Sequence, residues 1–137
     1  MREWNIKNKN FKQSAHLTYS CQYHVIFCPK YRRKILKDGV DIILKQIFYD
    51  IATQYNFEII ELEIMADHIH LLIDCNPRFG IMNCVKKLKG ISSNKLKKYS
   101  NLQINSSNIW TRGTFISTVG SVSLKTVKKY IETQKLK

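Results

Sequence analysis

His68 and His70 stand one residue apart in the stretch Asp67-His68-Ile69-His70-Leu71-Leu72-Ile73-Asp74. Side chains of a strand alternate between its two faces, so both imidazoles share a face, roughly 6.5–7 Å apart along the chain. The alternate residues Ile69, Leu71, Ile73 and Cys75 make a wholly apolar face that requires a core. Neutral imidazole nitrogens at that spacing can reach one divalent metal ion. A lone histidine carries no such meaning. A pair backed by an apolar face supplies two ligands of a set.

About sixty residues later, VSLKTVKKYIETQKLK reads as a helix with Leu124, Val127 and Ile131 as its apolar stripe. Tyr130 and Gln134 are four apart and stack on one side of that helix. A tyrosine at the border of such a stripe fits two arrangements: a phenol reaching water from a packed helix, or a phenol presented to a cleft. Together with the histidine pair, the second carries more weight. A phenolate oxygen can attack a phosphodiester and hold the cut end covalently, which conserves the bond's energy for rejoining. A phenol with a pKa near ~10 is a poor nucleophile at neutral pH. A divalent cation offsets charge on the phosphate. His68, His70 and the Gln134 amide oxygen would hold that cation. Mixed nitrogen and oxygen ligation suits Mg²⁺ or Mn²⁺, the latter better matched to imidazole. Asp67 and Asp74 are near enough in sequence to orient a histidine or a bound water. Asp67 fits a turn residue equally well.

The elements that must position these groups are legible in outline. The chain has 137 residues, 44% hydrophobic, which suits one domain with a proper core. The net charge is +13, and an excess of that size points to a polyanion partner. Nucleic acid fits better than an anionic membrane, because no segment pairs a basic face with an exposed apolar one. No apolar run approaches membrane-helix length and no signal peptide opens the chain, so a cytoplasmic protein without membrane partners is expected. Cys21, Cys28, Cys75 and Cys84 form no C-x-x-C pair and read as small buried residues rather than a zinc site or disulfide framework.

Residues 1–14 are polar and read as a flexible N-terminal arm, with residues 15–137 as the single domain. His16 to Cys28 reads as one long strand ended by Pro29. Lys30-Tyr31-Arg32-Arg33-Lys34 follows as a basic loop with one aromatic, which fits a solvated loop or, at least as well in so basic a chain, a phosphate-contacting segment. Asp38 to Tyr55 is a helix, capped by Asp38 or Asp41, whose Val40, Ile43, Leu44, Ile47, Phe48 and Ile51 form one stripe. Phe57 to Met65 is a strand with Ile60, Leu62 and Ile64 alternating with Glu61 and Glu63, and Ala66-Asp67 turns it into the histidine strand. Ile81 to Tyr99 is a second helix with Lys86, Lys87 and Lys89 on a basic side, weakened at Gly90 and Ser92-Ser93-Asn94. Ile109 to Val119 is a last strand or a short bent pair. The DNA-contact set read from this pattern is Lys30, Arg32, Arg33, Lys86, Lys87, Lys89 and Arg112.

Four ordered motifs resemble the single-tyrosine HUH transposases of the smallest bacterial and archaeal insertion sequences, a superfamily that includes the REP-type transposases. They are Tyr23-His24-Val25-Ile26-Phe27-Cys28-Pro29-Lys30-Tyr31-Arg32-Arg33, Met65-Ala66-Asp67-His68-Ile69-His70-Leu71-Leu72, the region from Trp110-Thr111-Arg112-Gly113 to Ser117-Thr118-Val119-Gly120, and Tyr130-Ile131-Glu132-Thr133-Gln134. Ala66 stands where that family usually has proline and Thr133 where it usually has asparagine. The resemblance implies an α+β, ferredoxin-like (RRM-like) sandwich with a central antiparallel sheet, helices on one side and a C-terminal helix carrying the tyrosine. It implies a homodimer with composite active sites. It implies single-stranded DNA with hairpins at the element ends as substrate, cleaved to a 5′-phosphotyrosine and a free 3′-OH and then rejoined.

Two other readings of the residues stand beside this one. A non-catalytic single-stranded nucleic-acid-binding module of the same architecture would use the basic helix and aromatics, with His68 and His70 structural. A metal-dependent nuclease would use water in place of Tyr130.

Overall fold

The structure, a computed structural model, describes residues 12–14, 16–99, 108–119, 129 and 131–133. Its elements in order are β1 (Lys12–Ser14), β2 (Leu17–Tyr19), β3 (Gln22–Phe27), α1 (Val40–Tyr55), β4 (Glu58–Met65), β5 (His68–Asp74), α2 (Ile81–Tyr99) and β6 (Phe115–Thr118). The central sheet runs β4-β5-β3-β6, with every neighbour antiparallel. From β3 onward this is a βαββαβ chain of ferredoxin-like topology. Both helices cover one face of the sheet.

Periodicity explains most of this. Ile69, Leu71 and Ile73 of β5 are fully buried, as are Val25 and Phe27 of β3, and Leu44, Ile47, Phe48 and Ile51 of α1 and Cys84, Val85 and Leu88 of α2 pack against them. β4 and β5 form the expected hairpin, closed by Ala66-Asp67 with Met65 opposite His68. The Leu36 amide donates to the Ala66 carbonyl at 3.0 Å and anchors that turn.

Four local expectations are corrected. The strand from His16 breaks at Ser20-Cys21: β2 pairs with β1, and only β3 enters the central sheet. Lys12–Ser14, the end of the segment read as an arm, is therefore a strand. Residues 1–11 lie outside the described residues. In β4 the register shifts between Ile59 and Glu61, so Ile59 takes the inward place and Ile60 turns out, 39% exposed. A bulge adds one residue to the period, which regular alternation does not show. Neither Asp38 nor Asp41 is the N-cap of α1. Gly39 holds that position in the left-handed region (φ 97°), and Asp41 accepts the Gly39 N–H at 3.2 Å from the first turn.

The fourth concerns α2. Ser92 and Ser93 are buried, and the helix runs through them without interruption. Ser92 Oγ accepts the Trp110 indole N–H at 2.9 Å, and Ser93 Oγ accepts the Ile109 amide at 3.0 Å. Hydroxyls that look like a weak point of the helix instead dock the segment leading to β6. That lets Trp110 sit fully buried and edge-on to Phe27, ring centroids 4.9 Å apart, with its only polar atom satisfied.

Candidate active site

The face of the sheet away from α1 and α2 carries His68 and His70 on β5, His24 and Ile26 on β3, and Glu61 and Glu63 on β4. Antiparallel register puts Ile26 on one side of His70 and Glu63 on the other, and sets His24 one step further along, opposite Leu72. His24 Nδ1 and His70 Nε2 are 3.1 Å apart, with the two rings stacked at 30°. Burial, reinforced by His24, pulls the His70 imidazole below its ordinary pKa. It is therefore a neutral ring with a lone pair at neutral pH.

His68 is held from its other side. Its Nδ1–H donates to Asp67 Oδ1 at 2.8 Å, while Arg32 Nε donates to Asp67 Oδ2 at 2.7 Å. Burial opposes ionisation of Asp67. The hydrogen bonds from His68 and Arg32 and the arginine charge outweigh it, and the carboxyl lies below its usual range. An ionised carboxylate only accepts, so the proton of a neutral His68 ring sits on Nδ1 and its lone pair on Nε2. Arg32 also donates from Nη1 to the Ile131 carbonyl at 3.1 Å and lies 4.0 Å from Glu132 Oε2. The helical residues 131–133 are thereby joined to the turn that carries the histidine strand.

The chemistry available is that of two imidazoles, each braced through one ring nitrogen, beside a fixed carboxylate and guanidinium. The imidazoles suit a divalent cation as donors. Among the described residues no group of three His, Cys, Asp or Glu side chains could hold a metal by itself. The pair thus fits a metal only with ligands of another kind, such as an amide oxygen, a phosphate oxygen or water. Tyr130 and Gln134, the nucleophile and amide ligand read from the sequence, lie outside the described residues.

Other candidates from the sequence are sorted by the fold. Asp67 is an orienting carboxylate as well as a turn residue. Asp74 is not beside the histidines. It is four residues beyond His70, about 13 Å along the strand, and its Oδ1 accepts the Cys21 amide at 3.2 Å. Burial pushes its carboxyl upward, although the Cys21 hydrogen bond opposes this.

The basic residues divide likewise. Arg32 is turned inward, its side chain 10% exposed. Lys89 is turned inward too, donating to the Thr111 carbonyl (2.8 Å), the Gly113 carbonyl (3.1 Å) and Thr114 Oγ1 (2.7 Å), with its ammonium 5.3 Å from the centre of the Phe27 ring. Desolvation lowers its pKa to about 8. Lys87 lies over the Tyr55 ring. Lys86, Arg33 and Arg112 are exposed. Lys30, Tyr31, Thr111, Arg112 and Gly113 line an open groove of about 440 Å³, and Tyr31 at its edge is 69% exposed.

His24 was not legible as a site residue. It lies in a strand where an alternating polar residue is unremarkable, and only the β3–β5 register brings it to His70.

The model of the family described as "Transposase IS200 like" matches residues 17–134. The chain belongs to this family. It is 37% identical over 126 residues to the ISDra2 transposase TnpA of Deinococcus radiodurans, with 90% of each chain covered. It is 33% identical to the transposase for insertion sequence element IS200 of Salmonella typhimurium, covering 90% of this chain and 82% of that one. A crystal structure of a chain described as a transposase from Deinococcus radiodurans superposes with a TM-score of 0.82 at 35% identity, covering 90% of this chain and 97% of that one. The structure of a REP-associated tyrosine transposase bound to a REP hairpin superposes with a TM-score of 0.59 at 13% identity, covering 88% of this chain and 69% of that one. It shares the fold. As a member of the IS200-like family this chain is a transposase-type protein on a mixed α+β frame with a central antiparallel sheet. Among its described residues no helix is long and apolar enough to cross a membrane.

Proposed function

We propose that this protein is a single-strand DNA transposase in which Tyr130 is the nucleophile and His68, His70 and Gln134 hold a divalent metal, Mg²⁺ or Mn²⁺. The observation that carries the reading is the bond from Arg32 to the Ile131 carbonyl. Ile131 follows Tyr130 in the chain, and Arg32 leads through Asp67 to His68. The helical residues 131–133, which follow Tyr130 in the chain, are thus tied to the turn that carries the histidine strand, and this supports the reading.

In the proposed reaction the Tyr130 phenol gives up its proton and its oxygen attacks phosphorus. The bond to the 3′ oxygen breaks, that oxygen takes up a proton, and the new bond is a 5′-phosphotyrosine. Attack by another 3′-OH reverses these steps and releases the tyrosine. When bound, the cation would stabilise charge on the phosphate oxygens. The chain's own contribution is positional: Asp67 keeps the His68 proton on Nδ1, and His24 braces His70. Exposed Arg33, Lys86 and Arg112 would meet the phosphate backbone, and Tyr31 offers a face for a base. The REP hairpin bound in the REP-associated tyrosine transposase supports a DNA hairpin as the partner, and the same proposal includes a homodimer acting in the cytoplasm.

The test is incubation with single-stranded element ends and Mg²⁺ or Mn²⁺, followed by denaturing gel electrophoresis. A covalent protein–DNA adduct is expected with the parent, and none with Tyr130→Phe, which still binds DNA. Cleavage that persists in Tyr130→Phe and leaves a 5′-phosphate would establish water as nucleophile. Binding with no cleavage in the parent would reduce the protein to a nucleic-acid-binding module.

A further inference from the structure

We infer that Arg32 is a positioning residue that docks the helical residues 131–133, which follow Tyr130 in the chain, onto the turn of the histidine strand, and not the phosphate contact that its basic neighbourhood suggests. The inference rests on Tyr130 being the nucleophile, though its decisive readout does not.

Arg32 uses two edges of one planar group at once. Nε is 2.7 Å from Asp67 Oδ2, and Nη1 is 3.1 Å from the Ile131 carbonyl. The guanidinium fork holds its donors in fixed relative directions, so the two acceptors are fixed relative to each other. Asp67 passes the constraint on, because its second oxygen accepts the His68 proton. Helix carbonyl, guanidinium, carboxylate and imidazole form one hydrogen-bonded chain across residues 131, 32, 67 and 68. A lysine supplies the charge but not the fork.

The backbone beneath is shaped for this task. Tyr31 and Arg32 both adopt left-handed conformations, φ 59° and 52°. Consecutive residues in that region are costly for any side chain with a Cβ, and they persist only when the surroundings enforce them. Here the turn is pinned on both sides. The Lys30 amide donates to the Ile109 carbonyl at 2.9 Å, the Arg32 amide to the Pro29 carbonyl at 2.8 Å, and Pro29 bridges to Trp110. Tyr31 faces outward and is 69% exposed, whereas the Arg32 side chain is 10% exposed. One strained turn therefore separates an outward aromatic from an inward strut.

The test compares Arg32→Gln and Arg32→Lys with the parent in the full-length chain. Three quantities are read: hydrogen exchange of a peptide spanning residues 129–133, single-stranded DNA affinity by fluorescence anisotropy, and the rate of adduct formation. Loss of charge-assisted bonds of this kind should speed exchange in the 129–133 peptide and slow adduct formation by about 10- to 100-fold in Arg32→Gln. DNA affinity should stay within about twofold, and β5 amides should keep their protection. Arg32→Lys should restore neither exchange nor rate, since it keeps charge without the fork. Unchanged exchange at 129–133 in both variants overturns the inference. So does a fall in DNA affinity that Lys repairs, which would assign Arg32 to phosphate. If Tyr130→Phe still cleaves, the nucleophile assignment fails while the exchange result stands on its own. If β5 protection is also lost in Arg32→Gln, Arg32→Lys decides: parent-like exchange at 129–133 there overturns the inference.

Discussion

His24 Nδ1 lies 3.1 Å from His70 Nε2, across the β3–β5 pairing and forty-six positions apart in the chain. The contact leaves Nδ1 as the free ring nitrogen of His70, and that nitrogen carries a lone pair when His70 Nε2–H donates to His24 Nδ1. His68 is fixed in the same manner by Asp67. Each member of the histidine pair thus has a brace of its own, one an imidazole and one a carboxylate.

On the proposed metal reading, His24→Phe removes the brace and leaves both ligands. Divalent-ion affinity should fall by about 10-fold or more, the usual cost of losing an outer partner of a ligating histidine. His24→Gln, which keeps a hydrogen-bonding group, should lose less. Calorimetric titration of the metal-free protein with Mn²⁺ checks both, without reference to DNA. Equal affinity in His24→Phe would leave the imidazole pair as packing alone.

Asp67 should make the protein acid-sensitive. Its carboxyl is held below the usual range in the folded state and titrates near ~3.9 when unfolded. The unfolded chain therefore takes up the proton first as pH falls, so the stabilisation is complete above about pH 4 and fades below it. Asp67→Asn should lower the urea midpoint at pH 7 and flatten its fall between pH 5 and pH 3, roughly the window set by the carboxylate value. Parallel curves for the two proteins would show that Asp67 is uncoupled from folding.

Lys89 should matter for stability and not for DNA. Lys89→Met keeps the aliphatic stem but leaves the Thr111 and Gly113 carbonyls and the Thr114 hydroxyl without their shared donor. The loss should be about 1–3 kcal/mol, read as a lower urea midpoint at unchanged slope. DNA affinity of the folded variant should match the parent. A selective drop in affinity at parental stability would return Lys89 to the nucleic-acid surface.

Tyr31 offers an exposed ring beside a groove lined by Lys30 and Arg112. Stacking of one base on it should be worth about 1–3 kcal/mol, so Tyr31→Ala should weaken single-stranded DNA binding accordingly and Tyr31→Trp should not. Anisotropy titrations at matched salt provide the comparison. Affinity should also fall steeply as salt is raised, as phosphate contacts require. An Ala variant that binds like the parent would remove Tyr31 from the interface.

Much of the frame follows from local periods. The alternation in β5 identifies both its buried face and its histidine face, because a strand's period is two whatever lies around it. The stripes of α1 and α2 are legible for the same reason at a period of 3.6. The Ala66-Asp67 hairpin follows from two strand patterns separated by two residues. Ile60 marks where that logic stops: a one-residue bulge, invisible in the pattern, exchanges it for Ile59.

The sequence by itself determined that two imidazoles share a strand face and that the chain is strongly basic. Only the tertiary structure decided which cations form its surface. Arg32 and Arg33 are adjacent, yet one is an inward-turned strut and the other is exposed. Lys86 and Lys89 are three apart on one helix, yet only Lys86 is exposed. The physical reason is that a cation's orientation depends on acceptors that arrive from afar. The Asp67 carboxylate reaches Arg32 across thirty-five positions, the Ile131 carbonyl across ninety-nine, and the Thr111 carbonyl reaches Lys89 across twenty-two. No local spacing encodes those meetings. They exist once the sheet register and the docking of residues 109–114 are in place.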